Sequence, residues 1–208
     1  MVDLSENIVR GHESVTYGSA EFYSNIMSES DWSSCIGRKI ANKHNHLFSD
    51  RANDMVFFAF DEFFFGLTQD HEFNYRDENG DIGALNALLL RVCYVSPDHR
   101  NKGLQSSLLG YLRSLADQCN EIVVAFTTPF ELVENKGTVL KDLNTFVTTE
   151  YVEVKNDSVK EKQRQRYRDN GFINWHWPHG RLTTIADQWA YIPDGLEKQV
   201  FGQGYHKR

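Results

Sequence analysis

The chain has 208 residues, of which 40% are hydrophobic and 25% are charged, and its formal net charge is −7. This length suits one globular domain over 1–208 with a core of its own, and the composition excludes disordered and collagen-like proteins. The acidic balance argues against a protein that holds duplex nucleic acid or an anionic membrane surface, because both need a basic face. It is compatible with a cationic small molecule or peptide as partner.

The cysteines and the N-terminal residues predict a cytoplasmic protein. Cys35, Cys93 and Cys119 are odd in number and form no Cys-x-x-Cys pair, so we expect neither a disulfide framework nor a zinc ribbon. The N-terminus lacks the basic start and apolar run of a secretion signal. The longest apolar stretch, 55–67, is broken by two acidic residues and is shorter than the about 20 residues that a membrane span needs.

The first part of the chain predicts two helices and then a β-hairpin. Small and apolar residues recur at helical spacing from Tyr17 to Met27, and a second helix is expected between Ser33 and His46. The aromatic runs 55–60 and 63–67 flank a two-residue polar break, which is typical of a hairpin. The polar stretch that follows, Gln69 to Gly83, predicts a loop.

The middle of the chain predicts a βαβ unit. An apolar run from Ala84 to Val95 indicates a buried strand, which Pro97 ends. Glu121 to Phe126 is the next expected strand, and the intervening helix makes the two strands parallel. That helix has one apolar face with steps of three and four, formed by Leu104, Leu108, Leu112, Leu115 and Cys119.

The last part of the chain predicts a helix and two strands after an insertion at about 131–158. The expected elements are a short helix over 140–147, a short strand over 151–154, a charged helix over 159–169, and strands over 172–175 and 188–192. Asn170-Gly171 is typical of a left-handed helix end. We expect the glycine-rich tail, 194–208, to be frayed.

The loop before the central helix predicts an anion site. A helix N-terminus presents N–H groups without internal partners, and Gly103 lets the backbone approach a phosphate closely. Arg100 and Lys102 add cations, and Ser106 and Ser107 add hydroxyl groups. An ordinary strand-to-helix turn stays open as the alternative.

These residues resemble the acetyl-CoA signature of the GNAT superfamily of N-acetyltransferases, Arg/Gln-x-x-Gly-x-Gly/Ala, which reads here Arg100-x-x-Gly103-x-Gln105. A second family element, Tyr-x-x-x-Gly-Phe, begins at Tyr167. The order of expected elements is also similar to that of the family. The resemblance implies an α/β fold in which helices flank a mixed, splayed central β-sheet, with the insertion before the last helix.

The resemblance also implies roles for these residues. The backbone amides from Arg100 to Ser106 would hold the CoA pyrophosphate, and the main chain of Cys93 and Val95 would pair with pantetheine. The catalytic groups would be the Cys93 N–H, as oxyanion donor, and the Tyr167 hydroxyl, as acid for the departing thiolate. The implied cofactor-binding set is Cys93, Val95, Arg100, Asn101, Lys102, Gly103, Leu104, Gln105 and Ser106.

The sequence departs from the family pattern on the acceptor side. Gln105 stands where the family prefers Gly or Ala, and Leu89 stands where some members carry a glutamate base. The general base therefore stays open. Its candidates are Asp70, Glu72, Asp77, Glu78, Asp81 and Glu131.

Two further patterns have alternative interpretations. His44 with His46, and His176 with His179, are spaced like metal ligands, but no acidic or cysteine ligand supports them, and we expect no metal. The basic run 160–168 is typical of a solvated helix face, with a contact to CoA phosphate or RNA as the alternative.

The expected function is acetyl-CoA-dependent N-acetylation, by direct transfer to a primary amine of a small molecule or peptide. A non-catalytic CoA-binding or interaction domain of the same fold is one alternative, and a toxin-like acetyltransferase of aminoacyl-tRNA is another. The net charge of −7 argues against a nucleic-acid partner. We expect no membrane partner, and the oligomeric state, including a homodimer, stays open.

Overall fold

The computed structural model of the chain describes residues 32–43, 47–50, 55–59, 63–77, 79–95, 97–127, 129–132, 151–153, 156–175 and 188–202. The helices predicted over 17–27 and 140–147 lie outside these residues. The same holds for the two histidine pairs, for Glu78, and for most of the insertion predicted at 131–158.

The predicted helices and strands that lie within the described residues occur in the predicted order, and two strands that were not predicted, Leu47–Asp50 and Phe130–Leu132, are added to them. The helices are α1 (Cys35–Lys43), α2 (Leu104–Cys119), α3 (Asp157–Asp169) and α4 (Asp194–Phe201), and a 3-10 turn spans Pro97–His99. The strands are β1 (Leu47–Asp50), β2 (Met55–Ala59), β3 (Phe63–Arg76), β4 (Ile82–Val95), β5 (Ile122–Phe126), β6 (Phe130–Leu132), β7 (Tyr151–Glu153), β8 (Ile173–Asn174) and β9 (Gln188–Tyr191).

One mixed sheet organises the molecule. Its strand order is β1-β2-β3-β4-β5-β9-β8, and β6 pairs with β7 in a separate two-stranded sheet. Within the large sheet β4 and β5 are parallel, as the βαβ pattern predicts, and the other described pairs are antiparallel. The predicted hairpin is β2–β3. The α/β class and the mixed sheet flanked by helices are therefore confirmed.

Both faces of the sheet are covered at the centre of β4, where the sequence from Ala87 to Leu90 is continuously apolar and buried. Leu88 and Leu90 belong to a core cluster that also contains buried residues of α1, α2 and α3. Ala87 and Leu89 belong to a second cluster, which includes Val200 of α4. Because successive side chains of a strand point to opposite faces, a strand between two helical layers needs apolar residues at every position.

The predicted loop from Gln69 to Gly83 is wrong. Strands β3 and β4 continue through most of this stretch, and the turn is confined to the residues around Asn79-Gly80. Phe73 and Tyr75 are buried, whereas Glu72 just before them and Arg76 just after them are exposed. The stretch is the half-exposed end of the β3–β4 pair. The polar residues of its outer face obscure the alternation of apolar and polar residues that would indicate a strand.

Two other expectations are wrong. The tail predicted to be frayed forms α4 over 194–201, because Val200 is buried against the sheet and gives the segment an apolar contact. Cys35 and Cys119, for which no disulfide was expected, form a disulfide between α1 and the end of α2, with a Cα–Cα distance of 5.8 Å. Packing of α1 against α2 brings them together across a sequence separation of 84 residues.

None of the described helices has the length and apolar character of a membrane span.

Candidate functional site

The parallel strands β4 and β5 part at their carboxyl ends. Their register ends at Leu90–Ala125, and β4 continues to Val95 without pairing with β5. The register between β3 and β4 shifts at the same point, where Arg91 forms a bulge opposite Gly66 and Leu67. A bulge bends its strand and redirects its side chains, so the two strands enclose a wedge whose β4 wall offers main-chain groups not used by β5.

The N-terminus of α2 lies at the mouth of this wedge. Gly103 caps the helix with φ 82°, a left-handed conformation that favours glycine, and the first helical bond runs from the Ser107 N–H to its carbonyl at 2.9 Å. The amides of the preceding helical residues have no partner within the helix. A Cβ atom built on Gly103 would meet nothing within 4 Å, so the approach to these amides is open.

A cavity of about 330 Å³ fills the wedge. Its walls are the end of β4, the loop before α2, the first turn of α2, the end of β5 and the inner face of α3. Tyr167 lines it, and so does each residue of the implied cofactor-binding set except Lys102: Cys93, Val95, Arg100, Asn101, Gly103, Leu104, Gln105 and Ser106. The structure thus brings residues from both resemblance motifs to one enclosure.

These features agree in detail with the resemblance. The mixed sheet flanked by helices, the βαβ unit, the parting of the two central strands and the glycine-bearing turn are those that it implies. The fold is GNAT-like. No protein-family model matches the chain, and no curated protein matches it.

Some solved structures are similar to the chain at low sequence identity. A mutant of the AtaT toxin has a TM-score of 0.40 and 7% identity, over 72% of this chain and 73% of the other. AtaTR bound with acetyl-CoA has a TM-score of 0.36 and 8% identity, over 72% and 74%. The KacTA–DNA complex has a TM-score of 0.33 and 10% identity, over 78% and 77%.

Tyr167 is buried at the inner end of the cavity. Its hydroxyl donates to the Phe126 carbonyl oxygen at 3.1 Å and accepts from Gln163 Nε2 at 3.2 Å. Burial raises the pKa of Tyr167 well above its usual value, against weaker opposing effects of Gln163 and Arg166. The hydroxyl is therefore protonated at neutral pH.

Gln163 carries an unused acceptor beside this hydroxyl. It lies one turn before Tyr167 on α3 and lines the cavity, and its Oε1 is buried without a hydrogen-bond partner among the described residues. A buried polar atom without a partner is costly, so the oxygen is suited to a ligand N–H that enters the cavity.

Cys93 lies on the opposite wall, and its thiol is protonated. Desolvation raises the pKa of Cys93 to about 12, against a smaller lowering by the positive charge of Arg166. A protonated thiol is a weak nucleophile. This side chain is therefore suited to packing at the wall and not to forming a covalent intermediate.

A hydrogen bond that the sequence did not predict joins the two helices of the cavity. The Arg166 Nη1 donates to the Gln105 Oε1 at 2.9 Å, which connects the end of α3 to the first turn of α2. The two residues are 61 positions apart, and nothing local in either segment indicates the contact. From sequence, Gln105 was notable only as a departure from the family motif.

Four of the predicted acidic candidates, Asp70, Glu72, Asp77 and Asp81, belong to the described residues and do not line the cavity. Asp70 accepts from the Ser33 hydroxyl at 2.7 Å, and Glu72 accepts from the Asn74 amide at 2.8 Å. Asp77 caps the β3–β4 turn by accepting from the backbone of Asn79 at 2.9 Å. Among the residues that line the described cavity there is no Asp or Glu.

His71 is a titratable group that sequence reasoning missed. It is half-buried on β3, and its ring meets the ring of Phe126 edge-on at 6.2 Å between centroids. Burial, and then the positive charge of Arg91, lower its pKa below the usual value, while Glu72 acts in the opposite direction. The imidazole is neutral at pH 7. His71 precedes Phe73 by two residues and Tyr75 by four, and in a strand this spacing indicates that the three side chains lie on the same face.

The basic run on α3 is internally paired. Glu161 accepts from the guanidinium groups of Arg164, at 3.3 Å, and Arg168, at 2.8 Å. Arg168 also lies over the Trp189 ring, 5.5 Å from its centroid. These two cations are engaged on the outer part of the helix, as expected of a solvated face.

Proposed function

We propose that the protein is an acetyltransferase that binds acetyl-CoA in this cavity and transfers the acetyl group directly to a primary amine of a small molecule or peptide. One observation carries the proposal: a single enclosure has the open amides of a helix N-terminus at its mouth and the protonated Tyr167 hydroxyl at its inner end. A cosubstrate with a pyrophosphate at one end and a thioester at the other matches that arrangement.

The residues present fit such a cosubstrate along its length. The α2 N-terminus attracts the pyrophosphate through its amides and its dipole. The main chain of β4 beyond Leu90 is available for strand-like pairing with the amides of pantetheine. The unpartnered Oε1 of Gln163 supports the same assignment, because the pantetheine arm carries N–H donors.

The chemistry follows from the groups at the inner end. Acetyl-CoA supplies an activated acetyl carbon. The backbone N–H of Cys93 is assigned the role of oxyanion donor, which is worth about 3 kcal/mol when well aligned. Tyr167 is assigned the role of acid for the thiolate. The protonated Cys93 thiol supports direct transfer without an acyl-enzyme.

The alternatives have less support. The non-catalytic alternative was motivated by Gln105 and Leu89, but Gln105 has a hydrogen-bond partner of its own at the cavity. The alternative of an aminoacyl-tRNA substrate relied on the basic run of α3, in which Arg164 and Arg168 already pair with Glu161. The net charge of −7 also disfavours it.

The cosubstrate site is tested by comparing Gly103→Asp with Gly103→Asn. Both side chains tolerate a left-handed backbone and have space at this position, so their strain is matched. Only aspartate repels the phosphates. In calorimetric titrations with CoA, we expect the aspartate variant to bind more weakly than the asparagine variant. Equal affinities in two folded variants would remove the phosphate site from this loop.

The acceptor is tested by a separate screen. The protein is incubated with acetyl-CoA, a thiol reagent, and pools of amines, peptides or charged tRNA. We expect CoA release above the hydrolytic background with an amine or peptide pool. Release with charged tRNA alone would support the toxin-like alternative, and CoA binding without release in any pool would support the non-catalytic one.

A further inference from the structure

A cation lies at the mouth of the cavity, beside the amides of the first turn of α2. Arg166 of α3 lines the cavity, and its Nη1 donates to the Gln105 Oε1 at 2.9 Å. Gln105 is the second residue of α2, so its backbone N–H is one of those without a partner within the helix. One residue therefore contributes an amide to the open helix end and holds a guanidinium group with its side chain.

The contacts of α3 show that Arg166 faces the mouth of the cavity and not its inner end. Neighbouring residues of a helix project about 100° apart, so Arg166 and Tyr167 reach different walls. The Tyr167 hydroxyl contacts Phe126 at the end of β5, whereas the Arg166 guanidinium contacts the first turn of α2. The positive charge thus lies within the reach of one glutamine side chain from the open amides.

The hydrogen bond to Gln105 orients the guanidinium and leaves most of its donors to other partners. A guanidinium carries five N–H donors, and this bond uses one of those on Nη1. The Gln105 amide is neutral, so the bond itself does not neutralise the cation. A planar guanidinium can donate two parallel hydrogen bonds to a phosphate group, which makes arginine well suited to phosphate recognition.

We propose that Arg166 is a phosphate-binding residue of the cosubstrate site, which pairs with the pyrophosphate of CoA, and that Gln105 is the positioning residue that holds its guanidinium beside the amides of α2. The inference rests on the proposed function and adds a side-chain cation to the main-chain amides on which that proposal relies. It also gives Gln105 a role at a position where the related signature has Gly or Ala, because neither residue has a side chain that could accept from Arg166.

Gln105 acts by restricting Arg166 before the cosubstrate binds. A long side chain loses rotamer freedom when it is fixed on a ligand, and less of that loss falls on binding when the protein already holds the side chain. Gln105→Ala restores a residue of the related signature, yet we expect it to weaken the binding of CoA. Combined with Arg166→Gln, it should cause no further loss, because no cation is left to hold.

The test compares the affinities of CoA and of dephospho-CoA, which lacks the 3′-phosphate, by calorimetric titration of the full chain. Both probes carry the pyrophosphate. We expect Arg166→Gln to weaken the binding of both by the same factor, about 10- to 100-fold, as the loss of a charge-assisted hydrogen bond does. Raising the salt concentration should narrow the difference between the wild-type protein and the variant, because ions screen the attraction.

Arg164→Gln is the matched control. Arg164 lies two residues before Arg166 on α3, pairs with Glu161 at 3.3 Å, and is not among the residues that line the cavity. The variant therefore loses an equal charge from the same helix outside the site, and its affinity for both probes should stay close to that of wild-type protein. An equal loss in both variants would mean that only the net charge of α3 matters, which would overturn the inference.

Three other results would overturn the inference while the cosubstrate site stands. Unchanged affinity for CoA in a folded Arg166→Gln variant would remove Arg166 from the site. A loss confined to CoA would assign Arg166 to the 3′-phosphate, and a loss independent of salt would mean that it only maintains the shape of the cavity. If Arg166→Gln does not fold, Gln105→Ala gives the same comparison with the arginine retained. Failure of wild-type protein to bind CoA overturns both proposals.

Discussion

Two hydrogen-bond partners of the Tyr167 hydroxyl determine the direction in which its O–H bond points. It donates to the Phe126 carbonyl and accepts from Gln163, so the hydrogen lies toward the end of β5. To protonate a sulfur in the cavity, the hydroxyl must turn away from that carbonyl. A hydroxyl rotor makes such a turn easily, and the Gln163 donor can stay with it throughout.

Tyr167→Phe separates the chemistry of this hydroxyl from its packing. The ring remains in the core, but the Phe126 carbonyl and Gln163 lose a partner, so we expect a loss of about 1–2 kcal/mol in the free energy of unfolding. We expect kcat to fall by about 10²–10⁴ with little change in the KM for acetyl-CoA. Single-turnover kinetics with an accepted amine would measure this. Full activity in the chemical step would leave Tyr167 as a packing residue alone.

His71 gives the folded protein a specific response to acid. Its pKa in the folded state is lowered, so the unfolded chain binds the proton more readily. Above the unfolded-state pKa of about 6.5, the imidazole is neutral in both states and does not lower the free energy of unfolding. As the pH falls from there through the folded-state pKa, the free energy of unfolding decreases. We expect His71→Asn to flatten the decline of the urea midpoint between about pH 7 and pH 5. An identical decline in the variant would contradict this assignment.

The sequence predicts the local part of the site and not the contacts across it. The glycine turn, the preceding strand and Tyr167 sit in short motifs whose backbone geometry is set by neighbouring residues. The Arg166–Gln105 hydrogen bond and the burial of His71 depend on how distant segments pack. Propensity and periodicity carry no information on such pairings.

At the scale of elements, α2 is the helix that the leucine spacing predicted. Leu104, Leu108, Leu112 and Leu115 are buried, whereas Arg113 and Ser114, which lie off this face, are exposed. The two errors of element type, the Gln69–Gly83 loop and the frayed tail, have one cause. Each segment has a single apolar face, and the two faces share one core cluster, which contains Phe73 and Tyr75 of β3 and Val200 of α4. The composition of either segment alone is too polar to indicate this burial.

The phase of α2 is tested with matched substitutions on its two faces. Leu108 and Leu112 are fully buried, so replacing either by alanine should cost about 2–5 kcal/mol in the free energy of unfolding. Arg113 is exposed, and Arg113→Ala should cost far less. Urea denaturation of the three variants gives the comparison. Similar midpoints for all of them would mean that the buried face is wrongly assigned.

At the scale of the molecule, the disulfide ties the first described helix to the central one. Cys35 begins α1 and Cys119 ends α2, and both helices contribute to the core cluster that lies under the cavity. The bridge therefore restrains a large part of the unfolded chain as well as the folded contact.

Breaking this bridge should lower stability without changing the fold. Closing a loop of this separation is worth about 4–5 kcal/mol by chain entropy, so Cys35→Ser and Cys119→Ser should each lower the melting temperature. A reductant should have the same effect on wild-type protein and none on either variant. Cys93→Ser is the control that keeps the bridge, and it should stay sensitive to reductant. Insensitivity of the wild-type protein would show that the thiols are not joined.

The strand order also has a consequence for synthesis on the ribosome. β5 ends at Phe126, but β9, its neighbour on one side, begins only at Gln188. At a synthesis rate of roughly 5–20 residues per second, the edge of β5 that pairs with β9 stays unpaired for several seconds. An uncovered strand edge is a template for pairing with other chains. The newly made protein therefore passes through a period of high aggregation risk that ends when the last strands emerge.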